Sequence, residues 1–230
     1  MRTIGLIGGM SWESTAEYYR LINEEVRDRL GGLHSAEVVL WSVDFADVEA
    51  MQAAGRWDQA GELLADAARR LERAGAGVLA LCTNTMHKVA DAITGAVDVP
   101  FVHLADVTAE AVRADGLTTV GLLGTAFTME QDFYRDRLAS HGLDVIVPDA
   151  SDRADVHRVI YDELCLGIVR DESRRRYQEV IGRLVDAGAA GVILGCTEIE
   201  LLIVAADSEV AVFPTTSLHA AAIVDAALAR

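Results

Sequence analysis

In 230 residues, 36 Asp and Glu outnumber 20 Lys and Arg, giving a formal charge of −16, while hydrophobic residues make up 51%. This balance excludes a wholly disordered chain, and it argues against nucleic acid and anionic membrane surfaces as partners, because Lys and Arg supply most of the affinity for phosphate. Three cysteines (Cys82, Cys165, Cys196) without a C-x-x-C pair suggest neither a disulfide framework nor a zinc site, and fit a reducing cytoplasm.

Met1-Arg2-Thr3 leads into a short apolar run and then glycines, which reads as a first strand rather than a targeting segment. No run approaches the ~18 apolar residues that span a bilayer. Apolar runs then recur as predicted buried strands at Ile4–Ile7, Val38–Trp41, Val78–Leu81, Val99–Val102, Val120–Leu123, Val145–Val147, Val192–Leu194 and Val210–Phe213. Amphipathic stretches between them predict helices over Glu13–Leu30, Gln59–Arg73, Met129–Ser140 and Glu172–Ala187, with a last helix over Ser217–Ala229. Strands alternating with helices imply βαβ units, hence an α/β fold with parallel sheets covered on both faces.

The pattern also repeats. Thr3-Ile-Gly-Leu-Ile-Gly matches Thr119-Val-Gly-Leu-Leu-Gly, and Ala76-Gly-Val-Leu-Ala-Leu-Cys-Thr-Asn matches Ala190-Gly-Val-Ile-Leu-Gly-Cys-Thr-Glu, in the same order. Two similar lobes are expected, residues 1–98 with 209–230 and residues 99–208. Facing strand ends would then form a cleft, where open α/β sheets bind ligands.

Cys82-Thr83-Asn84-Thr85-Met86-His87 and Gly195-Cys196-Thr197-Glu198 each follow a predicted strand and open the next helix. Helix N-terminal N–H groups favour a thiolate, and hydroxyl and amide side chains at such a turn can bind a carboxylate. Two such turns across a cleft suit removal of a Cα proton from one face of a chiral carbon and its return to the other.

These turns, with Gly8-Gly9-Met10-Ser11-Trp12-Glu13-Ser14-Thr15, Gly124-Thr125-Ala126-Phe127-Thr128-Met129 and Leu194-Gly195-Cys196-Thr197-Glu198-Ile199, resemble the aspartate/glutamate racemase family over essentially the whole chain. Ser42-Val43-Asp44-Phe45, Tyr161-Asp162-Glu163-Leu164 and Thr215-Thr216-Ser217-Leu218-His219-Ala220 fit as well. The resemblance implies two pseudosymmetric α/β lobes, a cleft active site, no pyridoxal phosphate or metal, and a homodimer. Cys196 is then one acid/base residue.

The first motif departs from the family's Cys-Asn-Thr, since Thr83 stands before Asn84 and Cys82 one place earlier. A one-residue shift turns a strand side chain to the other face, so Thr83 is expected opposite Cys196. Alignment on Gly77 and Gly191 instead pairs Cys82 with Cys196, and both registers stay open at this level. Threonine is too weak an acid to rest as a base but can donate a proton, so the two directions should be unequal. Resemblance to the Cys/Thr branch implies preference for the L form.

Met10 and Gln52 match family positions near the substrate, with simple packing the alternative role for Met10. Asn84, Thr85, Thr125, Thr128 and Thr197 are candidates for the α-carboxylate, with helix capping the alternative role, above all for Thr125 and Thr128. Glu163 and Glu198 are candidates for the substrate ammonium group. His87, one turn past Thr83, is a candidate support, Cys165 reads as core, and Arg174-Arg175-Arg176 reads as a solvated helix face.

Pro214 replaces an aspartate usual in the family, and no arginine lies at Ala46–Met51 to take a distal carboxylate, Arg56 being the nearest. Hydantoin racemases, maleate isomerases, malonate decarboxylases and an amino-acid-binding sensor share the same broad frame.

Overall fold

A computed structural model describes residues Met1–Ala229. The elements run β1 (Ile4–Gly8), α1 (Trp12–Leu30), β2 (Val38–Ser42), α2 (Phe45–Ala53), α3 (Trp57–Arg73), β3 (Val78–Leu81), α4 (Ala90–Thr94), β4 (Phe101–Val102) and α5 (Leu104–Ala114). They continue with β5 (Thr119–Gly124), α6 (Ala126–Glu130), α7 (Asp132–Ser140), β6 (Asp144–Ile146), α8 (Ala150–Asp162), α9 (Asp171–Asp186), β7 (Gly191–Gly195), β8 (Ala211–Pro214) and α10 (Thr215–Leu228). Short 3₁₀ turns lie at Thr85–Val89, Leu164–Leu166, Thr197–Leu201 and Ala205–Asp207.

The expected α/β architecture is present as two four-stranded parallel sheets, ordered β2-β1-β3-β4 and β6-β5-β7-β8. Each sheet packs apolar side chains on both faces. In the first, Leu64, Leu71, Leu79 and Leu81 form one face, and Tyr18, Ile22, Val78 and Ile223 the other. In the second, Val180, Leu184, Val192 and Leu194 oppose Leu104, Val120, Leu138 and Ile193. Burial on both faces explains why the central strands β1, β3, β5 and β7 read as continuous apolar runs.

The chain forms two compact units, Met1–His103 with His219–Arg230, and Leu104–Leu218. The crossings therefore lie at 103/104 and 218/219 rather than at 98/99 and 208/209. Pairing explains both shifts. Strand β4 joins β3 of the first sheet, and β8 joins β7 of the second, so the return waits until α10 has begun. The helix expected over Met129–Ser140 is broken at Gln131, whose ψ of 146° is extended.

Both sheets share a topological switch. From β1 the chain goes to β2 on one side and then to β3 on the other; β5, β6 and β7 repeat this. The carboxyl ends of β1 and β3, and of β5 and β7, are therefore the places where such sheets leave a crevice for ligands.

His219 is fully buried at the heart of the first unit, where burial lowers its pKa from 6.5 to about 4. Tyr18 Oη donates to its Nδ1 at 2.8 Å, and its Nε2 donates to Val102 O at 2.8 Å, so the ring is neutral. A histidine depressed on folding takes up its proton more readily unfolded, so stability is full above pH 6.5 and is lost as pH falls toward 4. The loss at the acid end is roughly 3 kcal/mol. Thermal melts from pH 7 to pH 4 should show it, and the His219 ring resonances should remain those of a neutral imidazole at pH 5.5; a protonated ring at that pH would contradict this account.

Candidate active site

Thr83 and Cys196 each lie just past a central strand, and strand register decides which residues are equivalent. In the first sheet Ile7 pairs with Leu81; in the second Leu123 pairs with Leu194. The repeat equates Thr3–Gly8 with Thr119–Gly124, so Ile7 answers to Leu123 and Leu81 to Leu194. Two residues on, Thr83 answers to Cys196. Pairing Cys82 with Cys196 would need a one-residue slip of β3 against β1, which the ladder does not contain. Cys82 is fully buried among Tyr18, Ile22, Ala80 and Ala220, and burial pushes its thiol pKa far up. It is a core residue.

The turn of the first unit is built closely. Gly9 has φ +92°, and a Cβ there would lie 2.2 Å from Val43 O, so only glycine fits. Gly9 N donates to Thr15 Oγ1 at 2.8 Å, and the Ser11 side chain caps α1. Met10 is buried in the apolar cluster that contains Leu81 and Met86, and Gln52 Nε2 donates to Met86 Sδ at 2.9 Å. The structure thus brings Met10 and Gln52 against the segment carrying Thr83, Asn84 and Thr85, all three buried polar residues. His87 Nδ1 lies 2.7 Å from Thr83 O.

In the second unit Cys196 has extended backbone and precedes the 3₁₀ turn Thr197–Leu201. Its Sγ donates to Glu198 Oε2 at 2.9 Å, and Thr197 Oγ1 donates to the same oxygen at 2.7 Å. Cys196 is 7% exposed and Glu198 3%. Burial, then the charge of Glu198, push the Cys196 thiol well above its usual pKa. This corrects the expectation of a resting thiolate stabilised at a helix N-terminus. The turn is a single short 3₁₀ segment, and the nearest charge is negative, so desolvation and like-charge repulsion prevail. At rest the group is a thiol with a proton acceptor in contact.

The other candidates divide. Thr125 is the N-cap of α6: its Oγ1 accepts from Thr128 N at 3.3 Å and lies 3.2 Å from Thr128 Oγ1. Glu163 is buried but held elsewhere, accepting from Ser173 Oγ at 2.6 Å with Arg158 Nη1 at 3.4 Å and Arg170 Nη1 at 3.7 Å. Arg56 donates to Gln59 Oε1 and Ala50 O, closing the end of α2. In the arginine run, Arg174 pairs with Asp207 and Arg176 with Asp152 and Asp155. Cys165 is half-buried and packs against the cluster that includes Cys196. No described group of three or more His, Cys, Asp or Glu is placed to hold a metal ion.

One supporting residue escaped sequence reasoning. Glu200 accepts from Thr216 N at 2.6 Å and Ser217 Oγ at 3.0 Å, and Thr215 Oγ1 donates to Leu194 O at 2.8 Å. Together they tie the Cys196 turn to the start of α10, and burial raises the Glu200 pKa. The signal was an acid four residues past the cysteine and a Thr-Thr-Ser helix start, 16 residues apart and unreadable as a pair without the fold.

A profile of the family described as Asp/Glu/Hydantoin racemase matches residues 7–223. A Yersinia pestis protein, its crystal structure described as that of a candidate Asp/Glu racemase, is 54% identical, with all of both chains covered and a TM-score of 0.93. An aspartate racemase homologue from Pyrococcus horikoshii is 35% identical over 99% of both chains, with a TM-score of 0.86. The aspartate racemase of Picrophilus torridus shares the fold, with a TM-score of 0.79 at 19% identity, covering 100% of this chain and 96% of that one.

Replacing Glu198 by Gln removes the charge that raises the Cys196 pKa, so that pKa is expected to fall. Iodoacetamide labelling at pH 8, located at Cys196 by mass spectrometry, should be faster in E198Q than in the parent; slower labelling would contradict the electrostatic account.

Proposed function

Because this chain belongs to the Asp/Glu/hydantoin racemase family and is an isomerase of the racemase type, we propose that it racemises aspartate, glutamate or both, without a cofactor, with the L enantiomer the better substrate. The observation that carries the reading is the buried contact between Cys196 Sγ and Glu198 Oε2.

Removing an amino-acid α-proton needs a base matched to the moment of reaction. In this reading the Cys196 thiol passes its proton to Glu198 as substrate enters, and the thiolate takes the Cα proton of the L enantiomer. The Thr83 hydroxyl donates a proton to the opposite face of the carbanion; the resulting alkoxide then regains a proton from solvent, and Glu198 releases to solvent the proton it took from Cys196, which restores the resting site. In reverse Thr83 would have to act as base, which its weak acidity makes hard. That asymmetry is the reason for assigning the easier direction to Cys196. Asn84, Thr85 and Thr197, with the Thr125–Thr128 turn, are assigned to the α-carboxylate, and Met10 and Gln52 to the wall of the site. Glu163 has no part in this reading, since Ser173 and two arginines already occupy its carboxylate. The family resemblance supports a homodimer acting on a free amino acid, and cysteines outside any disulfide support a cytoplasmic setting.

Proton NMR in deuterated water tests the reading. Incubating each enantiomer of aspartate and glutamate should erase the α-proton signal, faster from the L form, and Cys196→Ala should slow the loss by roughly 10²–10⁴-fold. No exchange with the parent protein, or undiminished exchange with the variant, would overturn it.

A further inference from the structure

Next to Thr83 lies a group of three histidines, His87 and His219 buried and His103 half-buried, that the proposed reaction does not use. The His87 and His103 ring centroids are 4.6 Å apart, those of His87 and His219 6.0 Å, and Phe101 closes on His87 at 5.7 Å. His219 is itself fixed, with Tyr18 Oη donating to one nitrogen and the other donating to Val102 O. The His87 ring is thus held by neighbours from β4, the segment after it, and α10, all within the first unit.

What the ring does there follows from the placement of Nδ1. Nδ1 is 2.7 Å from the carbonyl oxygen of Thr83, and a carbonyl can only accept, so Nδ1 carries the proton and donates it. The bond spans four residues and joins the ring to the peptide between Thr83 and Asn84. His87 N also donates to Asn84 O at 3.1 Å, and Thr83 N donates to Leu81 O at 2.9 Å. The turn beyond β3 is therefore pinned at successive carbonyls, and the fixed Thr83 carbonyl sets where the Thr83 side chain projects.

We propose that His87 is a positioning residue for Thr83: its Nδ1–H, braced by His103, Phe101 and the Tyr18–His219 pair, holds the Thr83 carbonyl and thereby aims the Thr83 hydroxyl at the substrate. The role rests on the racemase reading above, with Thr83 as the second proton donor. It predicts that losing the bond harms delivery from Thr83 and spares proton removal by Cys196. Misplacement of a reacting group by about 1 Å can cost on the order of 10²-fold.

The experiment separates the two half-reactions in deuterated water. Exchange at Cα with retention reports the Cys196 side, and inversion reports the Thr83 side. His87→Leu should slow inversion from the L substrate by roughly 10²-fold, with KM and retention exchange within about two-fold of the parent. His87→Asn, whose amide nitrogen stands on the same atom of the side chain as Nδ1, should restore most of the inversion. Should the leucine variant fail to fold, His87→Gln, which moves its donor one bond further out, should show the same selective loss. Inversion at the parent rate in H87L, equal loss of both half-reactions, or no rescue by H87N would overturn the positioning role. Thr83→Ala retaining inversion would overturn it through the assignment of Thr83. Absence of any exchange by the unaltered protein would instead overturn the racemase reading, and this role with it.

Discussion

Each sheet depends on its central parallel pair, β1 with β3 and β5 with β7, because the register of that pair decides which residue stands one step beyond the strand. The β5–β7 pair is held close at its carboxyl end by glycine. A Cβ on Gly195 would sit 2.9 Å from Leu123 O and 2.7 Å from Leu122 Cδ1, so a larger residue there would push the strands apart. With Gly124 opposite Gly195, Cys196 emerges immediately past the ladder, and Thr83 emerges likewise past Leu81 and Cys82. A slip of one residue would bury the thiol or hydroxyl in the core and bring out its neighbour instead.

The same closeness sets the electrostatics. A thiol buried beside a carboxylate rests protonated, because desolvation and the neighbouring charge both oppose ionisation. The carboxylate that opposes the thiolate is also the nearest place for the thiol proton to go. Under the proposed chemistry these are two aspects of one arrangement: the site suppresses a reactive thiolate when empty and supplies its proton acceptor within 2.9 Å. The first unit solves a different problem, since a threonine needs no activation to donate a proton but does need accurate placement. Its turn is accordingly tied by backbone bonds and by a buried imidazole.

Much of this was legible from sequence. All eight strands were readable as apolar runs; the central strands β1, β3, β5 and β7 are buried on both faces and carry no polar alternation to obscure them, while the edge strands are apolar in sequence though only partly buried. The repeat marked the two sheets, and the four short motifs marked the turns. Helices α2, α4, α5 and α8 were not read: α4 is only five residues long, α2 has apolar residues around its whole circumference, and α8 is interrupted by Asp and Arg, whereas α5 buries Leu104, Ala105, Thr108, Ala109 and Val112 at a helical spacing that was overlooked. The lobe boundaries were misplaced by up to ten residues because β4 and β8 are short edge strands, whose allegiance is decided by pairing and not by composition.

By itself the sequence determined the α/β class, the duplicated plan, the family and the two turns that hold Thr83 and Cys196, since each is written in local pattern and order. It left open whether Cys82 or Thr83 is the counterpart of Cys196, and it pointed to a thiolate where the fold holds a thiol. Those questions were decided by tertiary structure. Register is a relation between strands some 70 residues apart, and the ionisation of a thiol depends on burial and on the neighbour the fold places beside it. The partners of Glu163, the ties of Glu200 and the histidine group next to Thr83 belong to the same class, being contacts between distant segments with no local signature.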